Sequence, residues 1–251
     1  NFVVNACKGD LGTSYATNQD VFDSVITRMP ATLKLAAFSM LLALVVSVPL
    51  GILAALKHNS IWDSLATALA TVGVSLPKFW FGLVLMIVFS LRLGWLPSTG
   101  SAELSEGLGT FLSYIIMPAA SLALGMAATQ TRMIRSSMLD VLNQDYVRYA
   151  RSKGLRERVV IWGHALKNAM IPVITVIGGE VGGLLGGAVV TESIFSWPGV
   201  GRLMMNSISK RDYPMIQGIT LMLCISYLLV NLLIDIVYAW VDPRIRLDKK
   251  S

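Results

Sequence analysis

The sequence predicts an all-α protein that crosses a lipid bilayer several times. Apolar residues make up 54% of the 251-residue chain and charged residues only 14%, and the mean hydropathy is +0.63. Soluble domains carry about a quarter charged residues, because their surface must be solvated. A chain of this size and composition cannot cover itself with water-facing surface. Lipid is therefore the expected surroundings for most of it.

Five segments are apolar and long enough to span a bilayer, which takes about 20 helical residues. Pro49 and Pro77 lie inside two of these segments, where a helix is expected to kink unless neighbouring groups satisfy the freed carbonyls. We assign residues 1–30 to an extracytoplasmic segment, 31–241 to the transmembrane domain and 242–251 to a cytoplasmic tail. The predicted spans are 31–56, 69–93, 111–133, 172–191 and 215–240.

The distribution of lysine and arginine predicts the orientation. The net charge of +6 is concentrated between the spans, which favours the positive-inside rule over nucleic acid as the reason for it. The short loop with Lys57, the region between the third and fourth spans, and the tail fall on one side, which we predict to be cytoplasmic. Five spans then place the start of the chain outside. The basic residues between the third and fourth spans are Arg132, Arg135, Arg148, Arg151, Lys153, Arg156, Arg158 and Lys167.

Residues 136–168 are too long for an ordinary helix connection and yet are not loop-like. They contain no proline and only two glycines, Gly154 and Gly163, and their apolar residues recur at roughly helical spacing. Ser136 or Ser137 is predicted to cap a helix start, and Gly154 to end a short helix in a left-handed turn. A second helical run, 158–167, follows. This amphipathic helix–turn–helix either lies on anionic lipid or forms a docking surface for a soluble partner.

The residues of this segment favour docking. Residues 146–172 (YVRYARSKGLRERVVIWGHALKNAMIP) resemble the cytoplasmic signature loop of importer permeases. Arg148, Tyr149 and Ala150 occupy the E-A-A positions of that motif, Gly154 is its glycine, and the residues from 164 to 167 occupy the Ile-x-Leu-Pro positions. The peptide-permease pattern Y-x-x-x-A-R-x-K-G, followed by H-x-L-x-N-A-x-x-P, is matched closely.

Further stretches resemble the same branch, so the likeness covers essentially the whole chain. The chain is identified as a member of the dipeptide/oligopeptide/nickel ABC importer permeases, with the fold of a type I ABC importer transmembrane domain. Such permeases have one more span before the first stretch, so we expect an N-terminal span to be missing here. The stretches are GDLGTS (9–14), RMPATLKL (28–35), GWLPSTG (94–100), ESIFSWPGVGR (192–202), RDYPMIQG (211–218) and DPRIR (242–246).

The resemblance implies a bacterial inner-membrane subunit that works with several partners. These are a second homologous permease, two ATPase subunits, an extracytoplasmic substrate-binding protein and membrane lipid, with no nucleic acid. The chain has no G-x-x-x-x-G-K-[ST] phosphate loop, so it is expected not to be an enzyme, and ATP and Mg²⁺ are expected on the ATPase subunits. The implied coupling residues are Asp145, Tyr146, Tyr149, Ala150, Arg151, Gly154 and Leu155.

The fourth span carries an acid and a set of small residues. Glu180 lies about 12 Å beyond Pro172 at 1.5 Å per residue, where an acid must face a wet pathway or be hydrogen-bonded. It is the candidate pathway residue. Gly178, Gly182 and Gly186 repeat every four residues, a spacing that permits close helix packing. That packing is either within this chain or against the partner permease. No catalytic residue and no metal site are expected.

Peptides are the predicted substrate, with nickel chelates and glutathione as alternatives within the same family. A secondary transporter would instead show inverted repeats with broken helices, and a channel would show a selectivity ring; neither is found. A non-transporting membrane scaffold has only the long docking segment in its favour.

The orientation is tested by thiol labelling. A cysteine introduced at Ser101 is expected to react with a membrane-impermeant reagent in intact cells, because 101 falls on the outer side. A cysteine at Ser152 should react only after the cells are opened. Labelling of the Ser152 variant in intact cells would show that the predicted orientation is wrong.

Overall fold

The computed structural model describes residue 6 and residues 9–241 of the chain, which fold as helices joined by short connections. The predicted cytoplasmic tail, 242–251, lies outside the described residues. The helices are α1 (Val21–Ile26), α2 (Met29–Leu56), α3 (Ile61–Ser75), α4 (Lys78–Leu85), α5 (Leu108–Leu142), α6 (Asp145–Ser152), α7 (Glu157–Val159), α8 (Leu166–Ile194), α9 (Val200–Ser209) and α10 (Tyr213–Val241), with π-helices at Met86–Arg92 and Val160–Ala165 and a 3₁₀-helix at Leu104–Glu106.

Four helical segments in the described part of the chain are long and apolar enough to cross a membrane, and five if an interrupted pair counts as one. They are Val21–Leu56, Leu108–Leu142, Glu157–Leu184 and Tyr213–Ile234, and the pair is Ile61–Ser75 with Lys78–Arg92. A helix satisfies its own backbone hydrogen bonds, which lipid cannot do for it. Helices cover most of each predicted range, with two main differences.

The second span is the first difference, because it is two helices rather than one helix over 69–93. Helix α3 ends at Ser75, and Leu76 is extended, with φ −79° and ψ 129°. The ring of Pro77 disfavours helical backbone at the residue before it, so the chain leaves the helix there and α4 begins at Lys78. Pro49, by contrast, lies within α2, which continues past it to Leu56.

The end of the third span is the second difference. Helix α5 runs on to Leu142, so neither Ser136 nor Ser137 caps a new helix, and that prediction is wrong. The reason is that Ile134 and Met138, one turn apart, are both fully buried and continue the apolar side of α5 through the serines. The region between the fourth and fifth spans is likewise not a plain loop, since it contains α9.

The chain divides into two compact units. The first contains the described residues up to Ser39, together with Pro77–Leu122 and Val181–Val230. Its core joins the N-terminal segment to α9 and α10. A Cβ on Gly218 of α10 would overlap the side chain of Val21, so the glycine permits this approach. The buried core residues are Leu11, Val21, Val25, Met29, Val200, Met215 and Ile219.

The second unit contains Met40–Leu76, Ala123–Glu180 and the described residues from Asn231 onward. Its core lies among α2, α5 and the start of α8. Gly51 of α2 faces Ile134 of α5, and a Cβ at 51 would lie 2.7 Å from that side chain. The buried core residues are Ile52, Ala55, Ile134, Met138, Ala165, Ala169 and Val173.

Candidate functional site

The short helix α6 is held to the second unit by its inner face. Val147 is fully buried and Ala150 nearly so, and both pack with buried Val160. Val141 and Leu142, at the end of α5, cover the same cluster. Since α6 has only eight residues, it is too short to be stable alone. Its position is therefore set by this apolar contact.

The outer face of α6 is exposed and carries most of the predicted coupling residues. Tyr149 is 61% exposed, and the ammonium of Lys153 lies 4.6 Å from the centre of its ring. Arg151 forms an ion pair with Glu157, with 2.8 Å between Nε and Oε1. These predicted coupling residues are thus exposed, except that Ala150 is in the buried contact. The others that are exposed are Asp145, Tyr146 and Leu155.

Gly154 follows α6 in the left-handed region, at φ +76°, as the sequence predicts. No heavy atom would lie within 4 Å of a Cβ placed there. The backbone conformation, rather than lack of space, is therefore the reason for glycine. A residue with a Cβ pays about 1–2 kcal/mol in this region.

Glu180 takes part in a polar network among the helices of the second unit. The Gln130 amide nitrogen donates to a Glu180 carboxylate oxygen at 2.7 Å, and the Gln130 carbonyl oxygen accepts from the Ser47 hydroxyl at 2.9 Å. Gln130 and Ser47 are fully buried, whereas Glu180 is only half-buried. The acid is therefore hydrogen-bonded, and part of the residue is accessible. Its assignment to the pathway stays a prediction.

The three glycines of α8 differ in their surroundings. Gly178 and Gly182 face α10: a Cβ on Gly178 would lie 2.6 Å from Ile234, and one on Gly182 would overlap the ring of Tyr227. Gly186 has no heavy atom within 4 Å of its Cβ position. The described residues of this chain thus give no packing reason for glycine at 186, and packing of this position against the partner permease stays a prediction.

Glu192, at the end of α8, is fully buried in the first unit. Its Oε1 accepts a hydrogen bond from the Thr32 hydroxyl at 2.7 Å, and its Oε2 accepts from the Arg202 N–H at 3.0 Å. The Gly201 N–H is a further donor. Since Gly201 and Arg202 lie in the first turn of α9, this carboxylate caps that helix from a neighbouring one.

Two neighbouring contacts complete this cap. Thr32 also accepts from the Val200 N–H at 2.9 Å, and the Trp197 indole donates to the Ala31 carbonyl at 2.9 Å. Burial raises the pKa of Glu192, which lies beyond the end of its candidate span at Leu184, although the hydrogen bonds from Thr32, Arg202 and Gly201 oppose the rise.

Asp212 joins the N-terminal segment to the start of α10. Its carboxylate accepts from the Ser14 hydroxyl, from the Tyr15 N–H at 3.1 Å, and from the N–H groups of Met215 and Ala16. Burial acts to raise the pKa of Asp212, but these hydrogen bonds outweigh burial and the pKa is lowered. The charged carboxylate is thus the form that this site holds.

Sequence reasoning missed these two carboxylate sites, although it had singled out the stretches that contain them. RMPATLKL meets ESIFSWPGVGR through Thr32 and Glu192, and GDLGTS meets RDYPMIQG through Ser14 and Asp212. Sequence spacing could not show the pairing, because each pair is about 160–200 residues apart. Among the described residues, no group of three His, Cys, Asp or Glu side chains could hold a metal ion.

Comparison with solved structures identifies the fold. An inward-facing MetNI methionine ABC transporter chain matches with a TM-score of 0.71 over 87% of this chain and 96% of that one, at 15% identity. The crystal structure of an amino acid ABC transporter with histidines matches with a TM-score of 0.60 over 97% of this chain and 98% of the other, at 14% identity. The fold is that of a type I ABC importer transmembrane domain.

Sequence comparison supplies the family. Residues 47–247 match the binding-protein-dependent transport system inner membrane component. A dipeptide transport permease from Alkalihalophilus pseudofirmus is 41% identical over 98% of this chain and 80% of its own length. A glutathione transport permease from Pectobacterium atrosepticum is 42% identical, over 98% and 78%. The chain belongs to this family of permeases, as its sequence motifs predict.

The capping role of Glu192 is tested by Glu192→Gln. A glutamine offers one acceptor oxygen where two are in use, and its NH₂ would face a donor. We expect a loss of roughly 1–3 kcal/mol in unfolding free energy, measured as a lower midpoint of thermal unfolding in detergent. Asp23→Asn, the same change at an exposed side chain, should leave the midpoint unchanged. Equal midpoints for Glu192→Gln and the parent would show that the carboxylate is not needed.

Proposed function

We propose that this permease imports dipeptides or oligopeptides across the bacterial inner membrane. The proposed assembly contains a second homologous permease, two ATPase subunits that hold ATP and Mg²⁺, and an extracytoplasmic binding protein. Support for peptides comes from relatives named as dipeptide, di/tripeptide and oligopeptide permeases. Glutathione, the substrate named for relatives of equal similarity, is itself a short peptide and is the second candidate.

The observation that carries the coupling assignment is the division of α6 into two faces. Val147 and Ala150 attach it to the transmembrane helices, while Tyr146 and Tyr149 remain exposed. Partly exposed tyrosines beside arginine are typical of protein interfaces. A helix that is fixed on one side and open on the other can seat in a cleft of an ATPase subunit. Closure of the ATPase pair would then move the helices to which α6 is attached.

A helix lying on anionic lipid would be built differently. It would turn its apolar face into the membrane, but the apolar face of α6 is occupied by Val160 and the end of α5. The face that remains open carries Asp145 and tyrosines as well as basic residues. This favours a protein partner over the lipid surface.

Glu180 is proposed to face the translocation pathway. Its exposed part would interact with substrate while Gln130 holds its other side. A peptide always carries an ammonium or amide donor, so a carboxylate acceptor in the pathway has a chemical use. The surface of α9 and the N-terminal segment, ordered by Glu192 and Asp212, is proposed to receive the binding protein.

The coupling assignment is tested at Gly154. Gly154→Val places a β-branched residue at φ +76°, which such residues strongly disfavour. The exit from α6 should therefore change while the transmembrane helices assemble as before. We expect binding-protein-stimulated ATP hydrolysis and peptide uptake to be lost in reconstituted vesicles at matched protein levels.

Gly154→Asn is the matched control. Asparagine tolerates the left-handed region, and the space around the site admits a side chain, so this variant should retain most of the activity. If Gly154→Val hydrolyses ATP and transports like the parent, α6 is not the coupling helix. Co-purification with an ATPase subunit separates the permease assignment from a secondary transporter or a scaffold.

The pathway assignment is tested by Glu180→Gln. The glutamine carbonyl can still accept from Gln130, so assembly should be unaffected. Loss of the charge should alter the uptake rate or the preference among peptides that differ in charge, measured by competition for uptake. If Glu180→Gln takes up every peptide at the parental rate, Glu180 has only a structural role.

A further inference from the structure

An ion pair joins α3 to α5 in the second unit, on side chains that the coupling assignment does not use. Arg135 of α5 donates to both carboxylate oxygens of Asp63 of α3, from Nε at 2.5 Å and from an Nη nitrogen at 2.7 Å. The Asp63 side chain is only 6% exposed. The Asn59 N–H donates to the same carboxylate at 3.1 Å. This two-pronged geometry fixes both distance and angle between the helices.

His58 completes the polar cluster at the edge of the pair. Its Nδ1 lies 3.0 Å from Asp63 Oδ2 and 3.2 Å from the Arg135 guanidinium. One nitrogen cannot donate to the carboxylate and accept from the guanidinium at the same time. The histidine is half exposed, and it contributes to the cluster in either tautomer. The pair itself does not depend on it.

Apart from this pair, α3 is held on α5 by small residues. Ala66, Ala70 and Gly73 are buried along one side of α3, and a Cβ on Gly73 would lie 3.0 Å from that of Ala128. Alanine and glycine have no polar side-chain atoms, so these contacts add no side-chain hydrogen bond between the two helices. Among the described side chains of α3, Asp63 is the one that hydrogen-bonds to another helix. The ion pair therefore sets the register of α3 on α5.

Helix α5 connects this ion pair directly to the coupling surface. Arg135 is seven residues, or about 10 Å, before the helix end at Leu142. Leu142 covers the apolar contact that holds α6. A displacement of α6 therefore acts on a rigid helix whose next lateral polar contact is Asp63.

We propose that Asp63 and Arg135 are positioning residues for coupling: their ion pair makes α3 move with α5 and α6. This rests on the proposed function of α6. Without the pair, an ATPase-driven movement of α6 would slide α5 past α3. ATP would then be hydrolysed with less substrate moved.

The pair is suited to positioning rather than to stability alone. Buried pairs contribute little net stability compared with apolar residues of the same size, whereas the paired planar groups specify one geometry. Arg135→Lys keeps the charge but cannot make both hydrogen bonds from a planar group. It therefore separates geometry from charge.

The experiment uses the permease assembled with its partner permease, ATPase subunits and binding protein in vesicles. The quantity measured is the amount of peptide taken up per ATP hydrolysed. Three variants are compared with the parent: Asp63→Asn, Arg135→Lys, and a double variant that exchanges the two residues (Asp63→Arg with Arg135→Asp). The matched control is Arg132→Gln, which removes an exposed arginine one turn away on α5.

We expect Asp63→Asn to keep binding-protein-stimulated ATP hydrolysis while uptake per ATP falls about fivefold or more, the scale of a typical coupling energy. Arg135→Lys should be intermediate, the exchanged pair should recover part of the loss, and Arg132→Gln should match the parent. Parental uptake per ATP in both Asp63→Asn and Arg135→Lys overturns the proposal. The proposal is also overturned if ATP hydrolysis and uptake fall in equal proportion in these variants, because that result indicates a purely structural role.

A distance measurement tests the proposal independently of the substrate. Cys7 and Cys224 are replaced by serine, and spin labels are attached to cysteines introduced at Ser64 and Ser152. The distance between the two labels reports the separation of α3 from α6. The parent assembly should keep one narrow distance with and without ATP, and Asp63→Asn should broaden or shift it when ATP binds. An unchanged distance in Asp63→Asn overturns the positioning role. If the parent assembly keeps one distance but does not take up peptides, the proposed substrate is wrong, and the positioning role is not affected.

Discussion

The exclusion of water from the hydrocarbon region is the constraint on which the rest of the structure depends. Backbone groups meet it by forming helices, and side chains meet it by pairing. Within the described residues, no buried side-chain nitrogen or oxygen lacks a hydrogen-bond partner. The main examples are Gln130 inside the spans and the buried carboxylates of Glu192 and Asp63 near span ends, and each bonds to a different helix or to a distant part of the chain. An unpaired polar group in such a place costs several kcal/mol, so these pairs determine which segments can be neighbours.

The two units use this constraint in different ways. In the first unit, the carboxylates of Glu192 and Asp212 satisfy the first N–H groups of α9 and α10, and so help the apolar core to order irregular and short segments. In the second unit, long helices pack through glycine and alanine, and polar contacts such as Asp63 with Arg135 fix their register. The first arrangement suits a surface that receives a partner. The second suits helices that must move together.

Coupling between an ATPase and a membrane pathway needs an element that is short, stiff and attached on one side. Helix α6 has these properties because Val147 and Ala150 are buried while Tyr146 and Tyr149 stay open. The left-handed Gly154 lets the chain turn back without lengthening the connection. The proposed role of the ion pair between Asp63 and Arg135 is to attach α3 to α5 as well. A movement of α6 reaches α3 only if α5 does not slide past it. On this proposal, coupling depends on α3, α5 and α6 jointly.

Composition and motif order were enough to predict the helical membrane fold, the family and the short helix ending at Gly154, because these depend on local periodicity and on residues close in sequence. From the sequence, Pro77 was predicted to kink a helix rather than to end it. The continuation of α5 through Ser136 and Ser137 was not predicted. Burial of Ile134 and Met138 decides the latter, and burial is a tertiary property. The pairings of Thr32 with Glu192, Ser14 with Asp212 and Asp63 with Arg135 were likewise decided only by the tertiary structure. They join residues 72 to 198 positions apart, and a single sequence carries no signal that brings such distant side chains together.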